Sequence, residues 1–249
     1  AEFADPSVCA RAAAAFDADP RLAAIGMRID LFQSPVEAPE PDRSSWVYSP
    51  LDPAEWSTRS FPALQFVGAG HALRRDVFEA VGCYDARLFF MHEEVDLCER
   101  ILNKGHGIEY RGDLGVRHKV SPERRVHWGA GRFRRHMRNL LYTRMKTEGF
   151  GADSFIEMLV QCVGGFRLGY RKDAIGGMLA TLALIPAARR ARRENPYAAL
   201  SETARRYKAE LRDRYGFRKP PKQPWDGKGA VARLIGRLRW ETDFRADFQ

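Results

Sequence analysis

The chain has 249 residues, 45% of them hydrophobic and 29% charged, with a formal net charge of +9. Such fractions fit an ordinary soluble globular protein of one large or two small domains with an ample core. The sequence holds no P-loop, no Gly-x-Ser-x-Gly and no internal repeat, which removes the corresponding nucleotide-binding, hydrolase and solenoid classes.

Charge divides the chain. Residues 1–115 carry 11 Lys and Arg against 19 Asp and Glu, a net of −8, while residues 116–249 carry 30 against 13, a net of +17. A nucleic-acid partner is not expected from the basic part, which shows no helix-turn-helix, zinc finger or RNA-binding aromatic motif. Cys9, Cys83, Cys98 and Cys162 have no Cys-x-x-Cys spacing. They read as reduced, buried thiols of a cytosolic protein.

In chain order, AEFADPSVCARAAAAF lacks the basic start and apolar core of a signal peptide. The segment continuing to Pro20 predicts a helix with Val8, Ala12, Ala15 and Phe16 on one side. RLAAIGMRIDLF then predicts a strand, and Asp17-Ala18-Asp19 before Pro20 reads as a cap and turn. Gln33 to Phe61 is Pro-rich, polar and without periodicity, so an irregular excursion with one hairpin is expected. Its Trp46, Tyr48 and Trp56 either stack on a sugar or pin the loop to the core.

LQFVG, Leu64 to Gly68, reads as a buried strand entering a glycine loop. ALRRDVFEAVG predicts a helix with Leu73, Val77, Phe78 and Val81 on one face, stopped by Gly82. EEVDLCERILNKG predicts a second helix: Val95, Cys98, Ile101 and Leu102 form its stripe, acids fill its first turn and Gly105 ends it. HGIEYRGDLGVRH reads as strand, turn, strand. GRFRRHMRNLLYTRMK is a basic helix, followed by two apolar helices, DSFIEMLVQCVGGF and DAIGGMLATLALIPAARRARR. The apolar run Ile175 to Ala188 is 14 residues, short of the roughly 20 that span a bilayer and suited to a buried or interfacial helix. A further helix runs through NPYAALSETARRYKAELRDRYGF, and a Pro-Lys linker leads to a last basic segment.

Two side-chain groups stand out. Glu93, Glu94 and Asp96 either cap a helix or present a general base at the mouth of a sheet-and-helix site. His118, closing a strand, reads by itself as a surface or hydrogen-bonding residue.

The order of the residues around them carries a resemblance. A Gly68-Ala69-Gly70 loop is followed by Arg74, Arg75, Phe78, Gly82 and Asp85, then by Phe89, Phe90, Glu93, Glu94, Asp96, Leu97 and Arg100. This resembles the acceptor-side half of family 2 glycosyltransferases, particularly their rhamnosyltransferase-like branch. The Glu-Asp pair of that family is Glu93-Glu94 here, which passes the catalytic-base role to Glu94. The resemblance implies an α/β fold: a partial GT-A, Rossmann-like mixed sheet flanked by helices over residues 1–148, then a mainly helical basic region over 149–249. It implies His118 as a ligand of a divalent metal, Mg or Mn. Ser121 to Trp128 resembles the family's mobile loop over the donor, and Arg138-Asn139 matches a pair seen in this branch.

The implied reaction is inverting transfer of one sugar from a nucleotide sugar to a glycan or lipid-linked acceptor. Glu94 would act with Glu93 and Asp96 orienting it. The Gly68-Ala69-Gly70 loop and Arg74 would hold substrate, and Arg124 and Arg125 would steady the diphosphate. The processive Gln-x-x-Arg-Trp motif is missing, its nearest spelling being Gly236 to Trp240. The register also places the metal-binding Asp-x-Asp upstream of Ala1. The chain is therefore expected to be the C-terminal part of a longer protein, inactive alone, with the donor pocket in the other part. The competing expectation is a non-catalytic acceptor-binding or membrane-associated module. The basic helical tail suits peripheral contact with an anionic membrane, placing the protein in the cytoplasm at the inner face of the cell membrane.

Overall fold

A computed structural model describes residues 1–48, 51–119 and 131–215. It is mixed α/β, with a curled mixed sheet flanked by helices. Two compact units account for these residues. One contains 1–87, 93–119 and 200–215, and the other contains 88–92 and 131–199.

The first unit is built on two long strands, β2 (Leu22–Leu31) and β5 (Gly107–His118), paired in parallel. Short strand β4 (His71–Leu73) adds antiparallel to β2. The far edge of β5 is shared by β1 (Glu2–Phe3), opposite Val116 and Arg117, and β3 (Ser60–Ala63), opposite Ile108 to Arg111. Helix α1 (Val8–Ala18) covers one face, burying Val8 and Ala12 among Leu22, Ile25, Met27, Leu114 and Val116. Small side chains on α1 allow that close approach of helix and sheet.

Two expectations for this sheet need correction. Residues 64–68 are not a strand; the strand lies earlier, at β3, and Gly68 and Ala69 form a turn between Val67 and Gly70. Residues 107–118 are one strand, not two. Between the pairs Met27–Arg111 and Arg28–Gly115, residues 112–114 leave the ladder as a bulge. Gly112 there backs onto the main chain of residues 57–59, where a Cβ would collide. Its glycine belongs to a bulge rather than to a turn.

Between residues 33 and 61 the chain first folds back antiparallel on the end of β2, the Leu31 N–H donating to Glu40 and the Asp42 N–H to Ile29, each at 2.8 Å, and then forms a 3-10 turn (Arg43–Ser45) and a one-turn helix, α2 (Pro53–Trp56). The aromatics of this excursion turn inward. Tyr48 is 2% exposed, lies against the Cα of Gly26 and has its ring 4.4 Å from that of Tyr110. Trp46 meets Tyr110 edge-on at 5.3 Å, and Trp56 meets Phe61 at 5.8 Å. They pin the loop to the core.

Helix α3 (Arg75–Ala80) starts after Leu73, which belongs to β4. It ends as its glycine predicts. Gly82 has φ 90°, and the Cys83 N–H donates to the Phe78 carbonyl at 2.9 Å. Helix α4 (Glu93–Asn103) ends the same way at Gly105, φ 92°, with the His106 N–H donating to Ile101. Helix α8 (Glu202–Arg214), capped by Ser201, returns to this unit: Lys208 pairs with Glu99 of α4, and the Ser201 N–H donates to Asn103 at 2.7 Å.

The second unit packs α5 (Arg132–Thr147), α6 (Ala152–Arg167) and α7 (Arg171–Glu194). Phe133, Met137, Leu141, Met158 and Ala174 form its core. The contacts thus group α5 with the helices after it and α8 with the sheet, where a single boundary at residue 148 was expected. Among the described residues no helix is long and apolar enough to cross a membrane.

Candidate functional site

The candidate site lies wholly in the sheet unit, where the glycine turn meets the first turn of α4. Gly70 is wedged between β strands: a Cβ there would touch Val116 of β5 at 3.1 Å and Met27 of β2 at 3.4 Å. Its carbonyl accepts the Met27 N–H at 3.0 Å. Gly68, at the other end of the turn, is exposed, and a Cβ built on it would fall inside the Glu94 carboxylate. The acid therefore rests on bare backbone. A side chain at Gly68 would have to displace the end of Glu94, so the glycine matters here through that close approach rather than through its dihedral angles.

Two residues outside the expected set complete the turn. His71, half-buried on β4, has Nδ1 at 3.1 Å from the Gly68 carbonyl, and its ring stacks on Phe66 at 4.6 Å. A carbonyl only accepts, so Nδ1 carries the proton and Nε2 is left to accept. The Tyr84 hydroxyl supplies that donor at 3.2 Å. Burial pushes His71 below its ordinary value, and the Gly68 carbonyl and the Glu94 charge partly oppose it. Burial, with Glu94 next, pushes the Tyr84 phenol up. A neutral ring thus ties Gly68 to Tyr84. Both residues are position-specific single letters in the sequence; only the pairing of β4 with β2 and the cap after α3 bring them together.

The acidic trio separates into three roles. Glu94 is half-buried and lies on Gly68. Glu93 is held above the usual carboxylate range, first by burial and then by the Glu94 carboxylate beside it, and its Oε2 has no hydrogen-bond partner. Asp96 is fully buried, accepting from Arg100 at 3.0 and 2.8 Å, while Arg100 also donates to the Val81 carbonyl at 2.6 Å. That ion pair locks α4 to the end of α3. Asp96 thus holds the helix that carries Glu94, and its partner is Arg100, one of the two arginines expected for it.

Arg74 also needs correction as a substrate ligand. Its guanidinium faces the end of α1: Nε donates to the Leu22 carbonyl at 3.0 Å, and Nη2 donates to Phe16 and, at 3.3 Å, to Asp19. Three carbonyls at a helix end and a strand start thus occupy its Nε and Nη2. Arg124, Arg125 and the loop from Ser121 to Trp128 lie outside the described residues, as does Gly236 to Trp240.

His118 ends β5, two residues beyond the Val116 that supports Gly70. Its Nδ1 is buried with no hydrogen-bond partner, which suits a single nitrogen ligand. No group of three His, Cys, Asp or Glu that could hold a metal occurs among the described residues. A metal at His118 would therefore draw its remaining ligands from elsewhere. Of the cysteines, Cys98 is buried on α4 as expected, whereas Cys9 and Cys83 are exposed.

Asn139, noted in the sequence only as half of an Arg-Asn pair, has a clear task in the helical unit. Its amide donates to the carbonyls of Leu88, Phe90 and Met91 at 2.9, 2.8 and 2.8 Å. It holds a segment in which Phe89, Met91 and His92 all take positive φ, at 23°, 73° and 70°. Non-glycine residues in such conformations cost about 1–3 kcal/mol each and persist only where neighbours enforce them. His92 is fastened there by a 3.0 Å hydrogen bond to His136 of α5.

No protein-family model matches the chain, and no curated protein matches it.

Proposed function

We propose that the chain carries the acceptor-side half of an inverting glycosyltransferase, with Glu94 as the general base. The observation that carries the reading is the seat of the Glu94 carboxylate on Gly68. Two features singled out independently in the sequence, an acidic helix start and a glycine turn, meet in one place. A helix cap has no need of a glycine beneath its carboxylate.

In the proposed reaction the acceptor hydroxyl hydrogen-bonds to Glu94, which takes its proton as the oxygen attacks the anomeric carbon. The bond from that carbon to the phosphate oxygen breaks, and the nucleoside diphosphate leaves with the electron pair. Positioned general bases of this kind contribute about 10²–10⁴-fold. His71 and Tyr84 hold the turn on which Glu94 rests, and Asp96 with Arg100 holds the helix that bears it. A divalent ion, Mg or Mn, for which His118 would be one ligand, would offset the charge of the departing diphosphate. Sugar, nucleotide and acceptor are matters for a panel.

That panel is the direct test. The protein as the cell makes it is incubated with common nucleotide sugars and with glycan and lipid-linked acceptors, and release of nucleoside diphosphate is followed. Acceptor-dependent release from one donor supports the reading. Acceptor binding without release from any donor, with Mg or Mn present, would make this a binding module and return Glu94 to the status of a helix cap.

A further inference from the structure

Independently of glycosyl transfer, helices α6 and α7 leave large apolar side chains in solvent at helical spacing. Phe155, Val163 and Phe166 on α6, and Ile175, Leu179 and Leu182 on α7, are each 39–57% exposed. The intervals of 8 and 3 along α6, and of 4 and 3 along α7, put each set on one stripe. The buried positions Ala174, Gly177 and Thr181 lie on another side of α7, so these stripes are not part of the unit's core. Large apolar patches on a protein surface commonly mark a contact with a partner.

The ends of the stripes are basic. A shallow groove joins Val163 and Phe166 to Arg167 and Arg171. At the other end of α7, Arg189, Arg190 and Arg193 are exposed around Pro186, whereas Arg192 is used internally, donating to the Lys146 and Thr147 carbonyls. We infer that the α6–α7 hairpin is a monotopic docking face for an anionic lipid surface, its apolar stripes entering the headgroup boundary and its arginines meeting phosphate.

Charge selects this occupant. A second copy meeting this face with its own α6–α7 stripes would bring arginine against arginine. Residues 216–249 carry 8 Lys and Arg against 4 Asp and Glu, so they match the rim no better. An anionic bilayer offers apolar depth and negative charge together, and near such a surface each basic residue is worth about a fivefold factor in binding. The apolar run of α7 is too short to span a bilayer, but a helix lying in the interface need bury only one face.

The test is flotation of the intact protein with vesicles of phosphatidylcholine alone and with 30% phosphatidylserine. Binding is expected only to the anionic vesicles, weakening with salt. Phe166→Ser with Leu179→Ser should cut it at least tenfold, and Arg189→Gln with Arg190→Gln roughly 30-fold, with circular dichroism unchanged since all four side chains are exposed. Absence of binding to anionic vesicles overturns the inference. So does binding that the serine pair leaves intact, which would be charge attraction alone. A dimer in solution that the serine pair converts to monomer, without vesicle binding, would assign the face to a second copy instead.

Discussion

The two units use glycine for opposite purposes. In the sheet unit Gly68 leaves room for a charged, half-buried side chain, and what occupies the room is the end of a flexible Glu94. In the helical unit Gly165 leaves room for neighbours that cannot move: a Cβ there would lie 2.5 Å from the Phe133 ring and 2.8 Å from Ala174. One glycine makes room for a carboxylate, and the other lets helices touch. The comparison extends to polar groups. His71, Tyr84 and Glu94 are gathered at a surface turn, whereas the buried Asn139 spends its donors restraining backbone.

Substituting both glycines sharpens this contrast. Gly68→Ala should move the Glu94 carboxylate aside and lower transfer about 100-fold, the usual cost of a misplaced catalytic group, while stability changes by less than about 1 kcal/mol. Gly165→Ala should do the reverse. Overpacking of this kind costs about 1–3 kcal/mol, seen as a lower urea midpoint, with site residues and transfer unaffected in the protein that remains folded. If Gly68→Ala lost stability but kept its rate, the distinction between the two units would collapse.

The smallest expected effect concerns pH. Burial pulls His92 down to about 4 from an ordinary 6.5. As pH falls between those values the unfolded chain takes up a proton that folded His92 refuses. Its contribution is therefore complete above pH 6.5 and is lost progressively toward pH 4. His92→Asn retains a residue tolerant of positive φ and removes the titration, so its urea midpoint should fall less steeply between pH 7 and 5 than that of the parent. His71 acts with the same sign in the other unit, so the variant should flatten the fall without abolishing it. An unaltered slope would remove His92 from this account.

Much of this was legible in residue order, wherever the determining physics is local. Helix α4 is correct from its first acid to Gly105 because dipole, stripe and terminating glycine agree. Helices α1, α5 and α6 were legible from their apolar stripes. Strand β5 was divided in two because a glycine in a bulge is spelled like a glycine in a turn, and only the partner strand distinguishes them. Arg74 was misassigned because its partners are carbonyls at the end of α1, more than 50 residues away. The site shows the same split. Glu94 and Gly68 could be named in advance, since each sits in a local pattern. Their contact, and the His71–Tyr84 support beneath it, depends on β4 joining the sheet beside β2.

The central claim is that the carboxylate on Gly68 works as a base, and Glu94→Gln addresses it with one atom exchanged. Single-turnover transfer should fall by about 10²–10⁴-fold, with donor affinity and melting temperature unchanged. A variant turning over at close to the parent rate would show that Glu94 is no base, and that its place above Gly68 is only the packing of a helix start.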